Sequence, residues 1–252
     1  MAKKFYYDSV NLLDATISAG TYNSSTNVFT LSNTQVTNEH YIIDQSIAQA
    51  VTSFGDEDMI RIDLGTDYTV SDIILYNNGA KDFNDLFVYG GSSGTSSLNL
   101  RLELNTTFAG WNANTLTSSS SFRYWFLRSE DGSYDGLTEV ILGVPLTFEN
   151  EPDIGIATQE IFATDLNTSL GGVEYANKRH EPKTTWQLNF SNISQTFKNN
   201  LVSFEQDVTN FKKFVYYDDS SYHYVRLDSP IKFTEVAFQR FSASLKLREQ
   251  LS

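Results

Sequence analysis

The chain has 252 residues, a formal net charge of −13 and no cysteine. This length is enough for one large β-domain or two smaller ones, each with a real hydrophobic core. The absence of cysteine excludes a disulfide framework, thiolate metal sites and thiol catalysis. The acidity argues against a nucleic-acid-binding protein, which normally presents a basic face.

The segment MAKKFYYDSV at the start contains a Lys pair, but no apolar stretch of signal-peptide length follows it. No apolar run approaches the length of a membrane span. We therefore expect a soluble protein that does not insert into membranes and does not use the standard secretion route. The 18 Phe and 14 Tyr residues suit pleated, half-buried surfaces, so the composition predicts a mainly β fold.

Short alternating segments dominate the first part of the chain. In LNLRLEL, residues 98–104, the Leu residues share one face of a strand and the polar residues share the other. Turn-forming Gly, Ser, Asn and Asp separate the segments, which favours a β-sandwich or jelly roll. Further strands are predicted at IILYN (73–77), DLFVYGG (85–91), FRYWFLR (122–128) and TEVILG (138–143).

The stretch IRIDLG, residues 60–65, places Ile60 and Ile62 on one parity and Arg61 and Asp63 on the other. The pattern predicts a strand that ends in a glycine turn. At such a strand end, an Asp accepts hydrogen bonds from backbone amides of the turn. We therefore expect Asp63 to have a structural role and not a catalytic one.

Together, MIRIDLGTDYTVSDIILYN (59–77), FRYWFLR and LTEVILG resemble the discoidin or coagulation factor type C family. The resemblance covers roughly residues 10–148 and implies a galactose-binding-like jelly roll. The paired cysteines of extracellular members are absent, and so is the Trp that usually precedes the Asp-Leu-Gly strand.

The same resemblance suggests two kinds of ligand for the jelly roll. Sugars would bind at loops at one end, with Trp111 and Tyr134 as candidate aromatic contacts; the alternative is that Trp111 packs inside a strand connection. Calcium occurs in jelly rolls of this class, and SEDGSYDG, residues 129–136, could supply oxygen ligands to it, although the EF-hand spacing is absent.

A linker is predicted at FENEPDIGIATQE, residues 148–160, which contains Pro, Gly and a local acidic cluster. We place the domain boundary near residue 150. Residues 1–150 carry 7 Lys and Arg against 18 Asp and Glu, and residues 151–252 carry 11 against 13. The sequence thus predicts a strongly acidic jelly-roll domain at 1–150 and a smaller β-domain with one α-helix at 151–252.

The helix of the second part is ISQTFKNNLVSFEQDV, residues 193–208, whose large apolar residues recur along one stripe. Ser191, Asn192 or Ser194 could cap its start. Strands are predicted on both sides of it, at 184–190, 212–217, 222–228, 231–238 and 240–247.

From GGVEYANKRHEPKTTWQLNF (171–190) through the helix to FQRFSASLKLREQLS, the chain is similar to tail-associated proteins of tailed bacteriophages. The features that carry this likeness are Gly172, Tyr175, Lys178 and Arg179, Trp186, Phe214 to Tyr217, and Glu249. The resemblance implies a structural protein of the virion tail or baseplate. Such a protein is made in the host cytoplasm, forms a homo-oligomer and contacts other tail subunits.

The segment NKRHEPK forms a basic island in an acidic protein. Lys178, Arg179 and His180 could contact an acidic partner subunit, because electrostatic complementarity orients assembly. The alternative is a solvated loop.

No residue pattern points to catalysis. His40, His180 and His223 are far apart, no HExxH occurs, and adjacent acidic residues in turns do not form an acid–base pair. We expect no catalytic, cofactor or metal residues, apart from the calcium candidate. The predicted function is that of a non-enzymatic tail or baseplate subunit with an outward jelly roll, and the jelly roll could contact a host surface glycan. The alternative is a carbohydrate-binding adhesin or accessory module.

Overall fold

The computed structural model describes residues 3–31, 36–52, 55, 57–79, 86–96, 98–104, 109–129, 136–153, 156–162, 164–170, 172–179 and 181–250. The chain divides into two compact units. One, Tyr6–Pro145, is called the jelly-roll unit. The other combines Met1–Phe5 with Leu146–Leu251 and is called the split unit. In the described residues, no helix is both long and apolar enough to cross a membrane.

The fold is mainly β, as predicted. Strand β1 comes first in the chain, at Lys4–Tyr6. The described strands of the jelly-roll unit are β2 (Thr16–Asn23), β3 (Val28–Leu31), β4 (Asp58–Asn77), β5 (Leu86–Gly91), β6 (Leu98–Glu103), β7 (Gly110–Ser129) and β8 (Leu137–Gly143). Short 3₁₀ helices lie at Leu12–Asp14 and Glu39–Ile43. The predicted strands are present, but those at 60–65 and 73–77 are two parts of the single strand β4, so the predicted strand end at Gly65 was wrong.

The long strands β4 and β7 each contribute to both layers of the β-sandwich in the jelly-roll unit. The strand order is β3-β2-β4-β7-β5-β6, and β8 also pairs with β4. Residues 58–63 of β4 pair with β2 and the later part of β7, whereas residues 72–77 pair with β8 and the first part of β7. Register shifts separate these two halves. Such bulges bend a strand, so β4 and β7 pass from one layer to the other.

Alternation along these strands fills the space between the layers. Ile60 and Ile62 of IRIDLG are fully buried, whereas Arg61 and Asp63 are only partly buried. The predicted parity is therefore confirmed. Other core members are Ile73, Leu75, Val88, Trp125, Leu127, Val140 and Leu142.

The described elements of the split unit, besides β1, are β9 (Leu146–Thr147), β10 (Ala157–Ile161), β11 (Thr164–Thr168), β12 (Glu174–Lys178), β13 (Lys183–Ser194), α1 (Gln195–Val208), β14 (Phe214–Tyr217), β15 (Tyr222–Leu227), β16 (Lys232–Ala237) and β17 (Arg240–Glu249). Most of the strands form one sheet of order β10-β13-β17-β15-β14-β1-β9, and β16 also pairs with β17. A separate two-stranded sheet joins β11 to β12.

Helix α1 begins later than predicted because β13 continues to Ser194. The Ser194 hydroxyl accepts a hydrogen bond from the Phe197 amide at 3.0 Å, so Ser194 is the N-cap among the three candidates. The predicted apolar stripe is buried along its length, at Phe197, Leu201, Phe204 and Val208.

The N-terminal strand β1 pairs with β9 inside the sheet of the split unit. The Phe5 side chain is fully buried, and its ring lies 4.9 Å from that of Phe204 and 5.1 Å from that of Phe214, between ring centroids. The division at residues 1–150 and 151–252 stays a prediction. In the compact units, the first five residues and the segment from Leu146 belong with the C-terminal part of the chain, so the jelly-roll unit is an insertion between β1 and β9.

Candidate functional site

Asp63 forms a bidentate ion pair with Arg123, a partner 60 residues further along the chain. Arg123 Nε lies 2.7 Å from Asp63 Oδ1, and Nη2 lies 2.9 Å from Oδ2. The Gly65 amide also donates to Oδ1 at 2.8 Å, which confirms the predicted bond to the turn. Both carboxylate oxygens thus hold the irregular stretch inside β4 that follows Asp63, where the pairing with β7 shifts register, and this is a structural role.

We predict that Asp63 makes the jelly-roll unit sensitive to acid. Hydrogen bonds from Arg123 lower the pKa of Asp63 below its ordinary 3.8; partial burial opposes this, and the Gly65 amide adds to it. A carboxyl whose pKa is lower in the folded state stabilises the fold above pH 3.8, and this stability is lost as the pH falls through the folded value.

The test is urea denaturation as a function of pH. Asp63→Asn should lower stability at neutral pH and flatten its decline below about pH 4. Asp14→Asn, a change at an exposed carboxylate of the same unit, is the matched control. Equal pH profiles for the wild type and Asp63→Asn would contradict the prediction.

The candidate glycan contact Trp111 lies at one end of the jelly-roll unit. The end of β4 meets the starts of β7 and β8 here, because Asn77 pairs with both Gly110 and Leu137. The Asn78 amide also donates to the Gly136 carbonyl at 3.0 Å. We call this the loop end of the unit. Tyr134, the second candidate, lies outside the described residues.

Trp111 is half-buried and packs edge-on against Tyr76, with ring centroids 5.1 Å apart. Its position in β7 lies opposite Tyr76 in β4, and Glu139 in β8 lies opposite Tyr76 on the other side. Ile73 and Leu75 belong to the core cluster, so the alternating Tyr76 and Trp111 lie on the other face of the sheet. Trp111 is therefore part of a strand and not of a buried connection.

Sequence patterns could not show that Tyr76 is the neighbour of Trp111. Tyr76 ends a predicted strand, but its cross-strand partner depends on a register that only the folded sheet defines. The calcium candidate at 129–136 falls almost wholly outside the described residues and stays a prediction. In the described ranges, no group of three or more His, Asp or Glu side chains could hold a metal ion.

The basic island is paired with acidic residues of the same unit. Lys178 forms an ion pair with Glu181, and Arg179 Nε lies 2.6 Å from Asp165 Oδ2. Through its hydrogen bond, Arg179 lowers the pKa of Asp165, and Asp165 raises the pKa of Arg179. His180 lies outside the described residues. The proposed contact of Lys178, Arg179 and His180 with a partner subunit stays a prediction.

The two described histidines lie in unrelated places. His40 is exposed beside Tyr41. The ring of His223 packs on that of Trp186, with centroids 4.8 Å apart, on the side of the sheet that faces the core. Its Nε2 lies 2.9 Å from Asp218 Oδ2. Although burial raises the pKa of Asp218, hydrogen bonds from His223, Ser220 and Ser221 lower it well below its ordinary value.

No family model and no curated protein matches the chain. Several solved structures of carbohydrate-binding modules are similar to it. Chitosan-binding module 1 of a chitosanase/glucanase from Paenibacillus sp. IK-5 is 15% identical, with a TM-score of 0.38, and the match covers 53% of this chain and 97% of the module. Module 2 of the same enzyme, in complex with chitotriose, is 11% identical, with a TM-score of 0.39 and coverage of 53% and 98%.

The family 32 carbohydrate-binding module of Clostridium perfringens NanJ, in complex with galactose, is 11% identical, with a TM-score of 0.37. This match covers 56% of the chain and 98% of the module. At these identities and TM-scores, the similarities do not assign a function to the chain. None of these three structures bears on the predicted likeness to phage tail proteins, and that likeness stays a prediction.

Proposed function

We propose that the jelly-roll unit is a non-catalytic carbohydrate-binding module that binds sugar at its loop end. The observation that carries this proposal is the half-buried Trp111, supported edge-on by Tyr76 beside the junction of three strand ends. An aromatic ring held by a neighbour offers a rigid, partly apolar platform that loses little conformational entropy on binding. The apolar face of a sugar ring could pack on such a platform.

Buried polar side chains on the opposite face of the same strands hold the strand ends that carry Trp111. Asn77, Asn112 and Asn114 have the parity of the core residues, so they point away from the face of Trp111 and are buried. The Asn77 side chain accepts from the Gly79 amide at 2.8 Å, and the Asn112 side chain donates to the Gly110 carbonyl at 3.0 Å. These bonds fix the backbone from which the adjoining loops leave the sandwich.

The test is a glycan array with the full chain, followed by calorimetry on the glycans that bind; chitotriose and galactose are included as probes. Trp111→Ala should weaken binding about tenfold or more, because the loss of an aromatic anchor removes most of its contact area. Trp111→Phe should retain part of the affinity. Phe238→Ala, a change at an 85% exposed ring of the split unit, is the matched control. Unchanged binding by folded Trp111→Ala would contradict the proposal.

A second candidate function, a structural subunit of an assembly, is favoured by the hairpin of β11 and β12. Every residue of β12 is exposed, and the large apolar residues Leu170, Val173 and Tyr175 are exposed in or beside the hairpin. An isolated two-stranded hairpin is marginally stable in water, so a neighbouring subunit that covers it would stabilise it. A tail or baseplate subunit of a bacteriophage is the form of this candidate that the sequence resemblance implies.

Light scattering on a sizing column tests this second function with the full chain. We expect a defined oligomer that Leu170→Asp with Tyr175→Asp converts to smaller species, because charges at a covered apolar surface are costly. Val144→Asp, a change at an exposed apolar residue of the jelly-roll unit, is the control. A wild-type monomer would remove self-assembly as the function and would leave the glycan proposal intact.

A further inference from the structure

The face of the split-unit sheet that lies away from the aromatic core carries a cluster of cations. Trp186, Leu245 and Leu247 alternate toward the core, so Lys183, Lys246 and Arg248 point to the opposite face. The cross-strand partner of Arg248 in β15 is Arg226, which lies on that same face. Three adjacent strands thus contribute positive charge to one surface of an acidic protein.

A cavity of about 110 Å³ opens among these side chains. Its lining consists of Ile161, Lys183, Arg226, Arg248 and Gln250. A single water molecule needs only about 10–15 Å³ of such space, so the cavity has room for a polyatomic group. Its polar lining is cationic or neutral, with Gln250 as the one amide.

The positive charges of the cavity are incompletely neutralised within the described residues. Asp228 is the acidic partner on this face, and it is shared: its oxygens lie 2.9 Å from Arg248 Nε and 3.2 Å from Lys246 Nζ. Arg226 donates to the carbonyl of Asn210, a neutral acceptor. In the part of the chain that the structure describes, Lys183 has neither an ion pair nor a side-chain hydrogen bond.

The register makes this arrangement costly in the absence of an anion. Arg226 and Arg248 are directly opposite each other in the β15–β17 ladder. Like charges directly opposite across two strands destabilise a sheet. An oxyanion between them would reverse the sign of the interaction, because guanidinium groups present paired donors that match the two oxygens of a carboxylate.

We propose that Lys183, Arg226 and Arg248 form a binding site for a carboxylate side chain of an acidic protein segment. Charge complementarity favours this ligand, since residues 1–150 of a second copy alone offer 18 Asp and Glu against 7 Lys and Arg. The site is in the split unit and is independent of the glycan-binding proposal. The site is separate from Lys178 and Arg179, which are paired with Glu181 and Asp165.

Fluorescence anisotropy with a labelled, capped oligoglutamate peptide and the full chain tests the proposal, with oligoglutamine as the neutral control. Oligoglutamate should bind, and its affinity should fall as NaCl is added. Lys183→Gln and Arg226→Gln should each weaken binding about tenfold. Lys178→Gln removes an equal charge from the same unit, so it should change the affinity by less than about twofold.

Three results would overturn the proposal. One is equal weakening by Lys183→Gln and Lys178→Gln, which would show a general charge effect. Another is binding of inorganic sulfate at the site without binding of oligoglutamate, which would mean a small-anion site only. The third is a clear fall in melting temperature for free Lys183→Gln, because the proposal requires this cation to be dispensable for folding.

Discussion

Phe5→Ala should destabilise the split unit by about 3–5 kcal/mol, although Phe5 lies far in sequence from the rest of that unit. Its side chain is fully buried, and its ring contacts those of Phe148, Phe204 and Phe214 at centroid distances of 4.8 to 5.1 Å. Removal of the ring leaves a cavity at a point where strands and the helix converge. Strand β1 is only three residues long, so its backbone pairing with β9 and β14 cannot offset the loss of the ring.

Hydrogen exchange with mass spectrometry in increasing urea measures this effect unit by unit. Protection should fall first in β14 and α1, while the jelly-roll unit keeps most of its protection. Phe162→Ala, a change at a ring that is 65% exposed in the same unit, should alter stability by less than about 0.5 kcal/mol. A loss below about 1 kcal/mol for Phe5→Ala would show that the N-terminal strand does not belong to this core.

Trp125→Ala should have a similar effect on the jelly-roll unit, a loss of about 3–5 kcal/mol. Trp125 is fully buried, its ring contacts that of Phe122 at 5.7 Å, and its Nε1 donates to the Phe122 carbonyl at 3.2 Å. Its cross-strand partners are Ile62 and Gly90. A Cβ atom on Gly90 would lie 2.4 Å from the Phe122 ring, so this part of the core has no spare space to reorganise.

The control for this change is Trp111→Phe, because Trp111 is half-buried in the same strand and should tolerate a smaller ring. Trp125→Phe should lie between the two, since it keeps an aromatic ring and loses the indole hydrogen bond. Hydrogen exchange again provides the measurement, because a change in tryptophan content alters intrinsic fluorescence directly. If Trp125→Ala and Trp111→Phe were equally stable, Trp125 would not be central to the core.

The sequence by itself determined the elements whose signals are local. Alternation over residues 60–65 correctly assigned Ile60 and Ile62 to the core, because side chains in a strand point to opposite faces in turn. The apolar stripe of α1 was equally readable, because residues three and four apart share one side of a helix. The bond from Asp63 to the Gly65 amide was predictable because it spans only two residues.

The tertiary structure alone decided which distant segments meet. A three-residue strand such as β1 carries no local information about its partner, and its pairing with β9 depends on burial of Phe5 among distant aromatic rings. The partner of Asp63, the neighbour of Trp111 and the opposition of Arg226 to Arg248 all depend on strand register. Register is an outcome of packing over the whole sheet, so residue types and spacing alone could not specify these contacts.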